Sequence, residues 1–211
     1  MTRQPIYQFK VELLDFKPKI WRTFEVLGNA KISMFSYLIL AMYKTQGYHL
    51  FNLEVNSATN PEINGMIFEF LPEENPYPSD IYGGREILDP TSYTLKEVTK
   101  DPGTFFTVNY DFGDDWYFRA ELIKVYNDQD ADTALFPRIL KGQGYGIVED
   151  CGGTHGLSEL RTAFKVKKGP EYLELKEWLG RSTFNIDKFD LEEMNQTFPR
   201  IVKLLKRGYE R

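Results

Sequence analysis

The chain has 211 residues, 42% of them apolar, 15% aromatic and 27% charged, with a net charge of −5. That composition excludes a disordered polypeptide and can fill a hydrophobic core without metal or disulfide. One Cys and two His cannot supply a four-ligand Cys/His zinc site or an intramolecular disulfide, and the longest apolar run, residues 37–43, is too short to cross a bilayer.

In chain order, residues 6–14 and 19–27 read as a β-hairpin turning on Asp15-Phe16-Lys17-Pro18. Tyr7, Phe9, Val11 and Leu13 share one face of its first strand. Ile20, Phe24 and Val26 share one face of the second, and Arg22 falls on that apolar face. Ser33 is expected to cap a helix running to Gln46 and stopped by Gly47, with Met34, Leu38, Ala41 and Met42 as its buried stripe. Strands over 48–55 and 66–71 follow, then a long loop over 72–91 with a Tyr-rich middle. Thr94-x-x-Glu97 is a capping box for a short helix.

Residues 104–112 and 116–125 give the clearest hairpin. A three-residue loop, Gly113-Asp114-Asp115, pairs Phe112 with Trp116 and Tyr110 with Phe118, and makes one face wholly apolar. Asp111, Asn109, Arg119 and Glu121 then share the opposite face. Residues 127–134 read as an acidic loop and 137–156 as a glycine-rich one. Helices over 157–168 and 170–179 end at Gly169-Pro170 and Gly180. A last helix opens at Asp190-x-x-Glu193, with Leu191, Met194, Phe198, Ile201, Val202 and Leu205 as its stripe and a kink expected at Pro199. The expected architecture is one α+β domain over residues 1–211, a largely antiparallel sheet of hairpins with helices packed on it. Residues 1–126 form its sheet-rich core, 127–156 its acidic and glycine-rich loops, and 157–211 its helical segment. The N-terminus carries no apolar signal-peptide core, so a soluble, cytoplasmic protein without membrane contact is expected.

Charge is unevenly placed: residues 1–50 and 161–211 each carry a net +4, whereas residues 51–160 carry −13. Duplex nucleic acid would need a localised basic face. Arg200, Lys203, Lys206 and Arg207 on the last helix could form one, although a solvated face is the default reading of such a run. A metal site would have to be mostly carboxylate, which suits Mg²⁺, Mn²⁺ or Ca²⁺.

Two places concentrate acids. Tyr110-Asp111-Phe112-Gly113-Asp114-Asp115-Trp116 sets three carboxylates at one hairpin tip, where turn chemistry alone would also favour Gly and Asp. Gly142-x-Gly144-x-Gly146 precedes Glu149-Asp150-Cys151-Gly152-Gly153. It lacks the Lys-Ser/Thr of a phosphate loop, and its adjacent acids argue against an anion, so it reads as a rigid loop presenting two carboxylates. Cys151 and His155 could form a thiol–imidazole pair, but no orienting residue stands nearby. His49 alternates with Phe51, Leu53 and Val55, as a satisfied core histidine would. Arg22 is expected to be buried in a structural ion pair with Asp15, Asp111, Glu149 or Asp150.

Ile20-Trp21-Arg22, His49-x-Phe51, Tyr110-Asp111-Phe112-Gly113-Asp114-x-Trp116, Pro137 with Gly142, Glu149-Asp150-x-Gly152-Gly153 and Phe184-x-x-x-x-Phe189-Asp190-x-x-x-x-Asn195 together resemble the family of plasmid proteins typified by open reading frame three of an Ri plasmid. The resemblance covers nearly the whole chain. It implies an α+β fold, an association with mobile elements and no established activity. Some relatives carry labels as transposon passenger proteins or resolvases, which would require a serine or tyrosine nucleophile that nothing here marks. The family pattern has Val where this chain has Cys151, and Asp where it has Asn185.

Two functional readings follow. In the first, the chain is a binding or adaptor domain whose acidic cleft holds a small ligand or a partner, bordered by Asp111, Asp114, Glu149 and Asp150 with His49, Trp116 and Arg22 nearby. In the second, the same four carboxylates hold Mg²⁺ or Mn²⁺ in a phosphodiesterase or nuclease, with His49 as acid/base. What separates the two is whether the hairpin tip and the Glu-Asp loop converge.

Overall fold

The computed structural model describes residues 4–71, 82–99, 101–128 and 130–210. Its centre is a sheet of eight strands among the described residues. They are β1 (Ile6–Leu13), β2 (Trp21–Leu27), β3 (Phe51–Asn56), β4 (Ile67–Glu69), β5 (Ile87–Leu88), β6 (Phe105–Tyr110), β7 (Trp116–Tyr126) and β8 (Arg138–Gln143). The order across the sheet is β5-β4-β3-β6-β7-β1-β2-β8, and every neighbouring pair is antiparallel except β4–β5. The helices are α1 (Ile32–Met42), α2 (Leu95–Val98), α3 (Gly153–Val166), α4 (Pro170–Leu179) and α5 (Leu191–Tyr209). This is the α+β class expected from the sequence.

The first hairpin forms as its alternation dictates. Tyr7, Phe9, Val11 and Leu13 are buried, and Phe9 pairs with Phe24 across the strands. Phe9 and Phe106 from the sheet meet Phe35 of α1 with ring centroids 4.8 and 4.9 Å from it. Helix α1 is buried on all sides except at Met34, because the sheet lies on one side and α5 packs on another. It begins at Ile32, one residue before the expected Ser33 cap. The N–H groups of Ile32 and Ser33 donate to the carbonyls of Tyr93 and Pro90, so the neighbouring loop satisfies the first turn and no side-chain cap is needed. It ends at Met42 rather than Gln46, since Lys44 takes a left-handed conformation (φ 63°).

Other elements shift for equally local reasons. Strand β3 starts at Phe51 rather than 48, and β4 is shorter than 66–71. The loop expected over 72–91 contains β5, while 72–81 lies outside the described residues. The Thr94/Glu97 capping box is present: the Glu97 carboxylate accepts from the Thr94 N–H at 2.7 Å. In the β6–β7 hairpin the loop is odd but five residues long, 111–115, so Tyr110 pairs with Trp116 and Val108 with Phe118. Asp111 and Asp115 both adopt left-handed backbones (φ 59° and 53°), which Asp tolerates, and the Asp115 N–H donates to the Asp111 carbonyl at 2.7 Å. The expected Phe112–Trp116 pair is therefore absent: Trp116 is fully buried and Phe112 lies in the loop, 42% exposed. Asp111 likewise leaves the polar strand face and is buried at the loop's start.

The stretch expected to be a glycine-rich loop contains β8, which pairs with β2 at Arg22↔Gly142. Glycine is needed there because a Cβ on residue 142 would lie 2.7 Å from the Arg22 Cδ and 2.8 Å from the Phe189 Cζ. Helix α3 starts at Gly153, four residues early, and α4 spans 170–179 as expected. Helix α5 opens with the Asp190 carboxylate accepting the Glu193 N–H, runs through Pro199, and buries Met194, Phe198, Val202 and Leu205; Leu191 stays 37% exposed. Its Asn195 side chain brackets Ile139 of β8, donating to the carbonyl and accepting from the N–H, both at 3.0 Å. Among the described residues no helix is long and apolar enough to cross a membrane.

Candidate functional site

The hairpin tip and the Glu-Asp loop converge, and His49 joins them. His49 lies between α1 and β3, and the Tyr209 hydroxyl, from the end of α5, donates to its carbonyl. Its imidazole stands edge-on to the Tyr110 ring at 5.8 Å. Its Nε2 is 3.6 Å from Asp111 Oδ2 and 3.4 Å from Asp150 Oδ1. One ligand atom from each of His49, Asp111 and Asp150 lies within 4.8 Å of the others. Asp111 is held by its own tip: its Oδ1 accepts the Gly113 N–H at 3.1 Å, and its N–H donates to the Leu50 carbonyl. Asp150 also has a left-handed backbone (φ 59°), and its side chain is 70% exposed, so the cluster is open on that side.

The other expected members sit elsewhere. Glu149 points inward: its Oε1 accepts from the Tyr110 hydroxyl and, at 2.7 Å, from the Gln46 N–H, while Oε2 is buried and has no partner among the described residues. Burial, reinforced by the Glu149 carboxylate, pushes the Tyr110 phenol well above its ordinary range. Burial does the same to Tyr209, with Glu149 again contributing. Asp114 latches the tip to the start of α3, accepting the Gly152 N–H at 3.3 Å. Trp116 is part of the core and does not border the cluster.

The latch requires glycine at 153. Its backbone is left-handed (φ 67°), and a Cβ there would lie 2.5 Å from the Asp114 carbonyl oxygen. Gly152 is left-handed too (φ 87°), yet a Cβ on it meets nothing within 4 Å. Gly152→Ala should therefore cost only backbone strain, about 1–2 kcal/mol. Gly153→Ala should cost clearly more, because backbone must move off backbone. Urea unfolding of the pair checks this, and equal losses would remove the latch.

Arg22 corrects its expectation in part. It is wholly buried, but no carboxylate among the described residues lies within ion-pair distance. Instead its guanidinium donates to four carbonyls: Trp21 (2.8 Å), Gln143 (2.6 Å), Gly144 (2.8 Å) and Tyr145 (3.0 Å). It also stacks 4.4 Å above Phe189 and 5.2 Å from Tyr43, and among the described residues its Nε alone finds no partner. Carbonyl dipoles and ring faces thus replace the anion. Arg22 shapes the loop leading to Glu149-Asp150 rather than the cluster itself.

Cys151 makes a poor nucleophile, since burial, then Asp114, push its thiol up to about 12. His155 is exposed and faces Glu159 at 3.7 Å, so the thiol–imidazole pairing does not form. Arg200, Lys203, Lys206 and Arg207 are all exposed on α5, with Lys206 3.5 Å from Glu210. Gln46 and Tyr209 carry no motif that marks them in the sequence, and Tyr110 reads there only as a paired strand residue of the tip motif.

A mainly antiparallel open sheet with an interior helix, and an acidic hairpin tip latched to a glycine-rich loop, defines the class of α+β protein. The chain belongs to the family of plasmid pRiA4b ORF-3-like proteins, which it matches over residues 5–193. That span holds His49, Asp111 and Asp150. The fold is similar to the crystal structure of a protein of unknown function, MM3350 from Methanosarcina mazei Go1. The TM-score is 0.72 and the identity 23%, covering 91% of this chain and 98% of that one. At that identity the likeness speaks for the fold alone. No curated protein matches the chain.

Proposed function

We propose that the chain acts as a single binding domain whose acidic end takes a divalent cation on His49, Asp111 and Asp150. The observation that supports this is the approach of one ligand atom from each, within 4.8 Å of one another, although they are far apart in sequence. An imidazole nitrogen with two carboxylate oxygens suits Mn²⁺ better than Mg²⁺, which prefers oxygen alone. The exposure of Asp150 leaves room for waters or a ligand carboxylate on the cation. Two of the four carboxylates expected to hold a phosphodiesterase metal are engaged otherwise, Glu149 by Tyr110 and Gln46, Asp114 by Gly152. That favours binding over hydrolysis.

Calorimetric titration tests the proposal. The wild-type chain should bind one Mn²⁺ more tightly than Mg²⁺, and the double variant His49→Gln, Asp150→Asn should lose the site. Asn tolerates the left-handed backbone at 150, so the variant should keep the wild-type circular dichroism. An absence of heat with either ion, or heat that the double variant retains, would discard the site.

A further inference from the structure

On the neighbouring face, two cavities of about 370 Å³ each share a wall made by Lys44, Tyr145 and Arg181. The first continues to Lys188, Phe189 and Glu193. The second continues to Trp178, Phe184 and Glu149. Each is large enough for part of a small ligand, and together they suit one with two chemically distinct halves.

The first cavity is positive in a chain whose net charge is −5. Its two acids are already engaged: the Asp190 carboxylate accepts the Glu193 N–H, and Glu193 lies 3.5 Å from Lys44. Among the described residues Arg181 reaches only the Tyr145 hydroxyl, at 3.4 Å, and neither it nor Lys188 has a carboxylate in ion-pair range. Two cations on one concave wall invite an anion that a guanidinium can grip with paired hydrogen bonds.

The second cavity is aromatic. Tyr145 and Phe184 meet edge to face at 5.1 Å, and Trp178 on α4 is 49% exposed. An indole left half in water on a cavity wall offers a flat face for stacking. Glu149 lines this side but turns its carboxylate inward to Tyr110 and Gln46, so the paired cations that draw an anion are those lining the first cavity.

We propose that this double cavity binds a nucleoside phosphate, with the phosphate against Arg181 and Lys188 and the base against Trp178 and Phe184. The site uses residues other than the cation cluster, so either can fail without the other. The chemistry fits a free mononucleotide or a nucleotide within a single strand.

The test titrates the full chain at low salt with AMP, GMP, CMP, UMP, inorganic phosphate and a short single-stranded oligonucleotide, followed by calorimetry and tryptophan fluorescence. At least one mononucleotide should bind about tenfold more tightly than phosphate, as stacking of a base predicts, and quench the emission. Arg181→Ala with Lys188→Ala should weaken nucleotide and phosphate alike. Trp178→Ala should remove the nucleotide's advantage and leave phosphate binding unchanged. All three side chains are exposed, so the thermal midpoint should hold and confirm that these variants fold. Tighter binding of the oligonucleotide would support the same chemistry with a strand as its source. Equal affinity for phosphate and every nucleotide, no binding of any probe, or binding indifferent to both variants would overturn the proposal.

Discussion

Replacing Arg22 by Met should lower the stability of the fold by about 3–5 kcal/mol, because buried acceptors left without donors each cost roughly 1–3 kcal/mol before relaxation. Four carbonyls lose their donor at once, and the hole is closed to water, since Arg22 is wholly buried. Burial pulls the guanidinium pKa down to about 10, which still leaves it charged at neutral pH. Arg22→Lys keeps the charge but not the planar fork, so it should recover only part of the loss. Urea unfolding measures both variants, with an unchanged m-value showing that the compactness of the end states is preserved. A loss below about 1 kcal/mol for Arg22→Met would mean that the carbonyls find other partners and that the Arg is no anchor.

Raising the pH above 10 should unfold the protein cooperatively. Tyr37, Tyr43 and Tyr110 are each fully buried, and burial pushes their phenols well above the ordinary value of 10.0. In the unfolded chain they release their protons near that value. Between the unfolded and folded pKa values the native state therefore holds more protons, and stability falls as pH rises. Each phenol contributes about 1.4 kcal/mol per pH unit, so three together contribute about 4. Cys151, raised from 9.0 to about 12, acts in the same direction. Arg22 opposes it by one proton, since its folded pKa lies below the ordinary 12.5. Loss of circular dichroism should coincide with a late rise of tyrosinate absorbance from the buried phenols, and Tyr37→Phe should make the transition shallower by about one proton. Ionisation of all 13 phenols near the ordinary value while the fold persists would contradict this.

Much of the sheet was legible because period-two alternation is a local signal. The faces of β1 and of β7 as far as Leu122 follow it, whereas β2 is buried on both faces, Thr23 and Glu25 included, because β8 and its flanking contacts cover the side the alternation left open. β8 escaped because Gly142 and the nearby glycines look like a loop, and their purpose, room for Arg22 and Phe189, is a property of the folded contact alone. The hairpin loop had the right parity and the wrong length, since the left-handed conformations of Asp111 and Asp115 extend the turn by two residues. Ser33 looked like a cap because sequence cannot show that carbonyls of a loop 60 residues away serve α1 instead. The convergence of His49, Asp111 and Asp150 could be guessed from clustered acids. The inward turn of Glu149 depends on Tyr110 and Gln46 and had no local mark.

An open sheet ends in two rows of unclaimed peptide groups, and each can template the backbone of another molecule. Here β5 offers only two residues at one border. At the other, the Asn195 amide imitates a ninth strand at the level of Ile139, filling both of that residue's outward positions while α5 packs against β8. Among the described residues, a second copy would meet a two-residue strand at one border and a strand interrupted at Ile139 at the other. One carboxamide on the last helix thus occupies the edge of β8 at Ile139, where an added strand would have to pair.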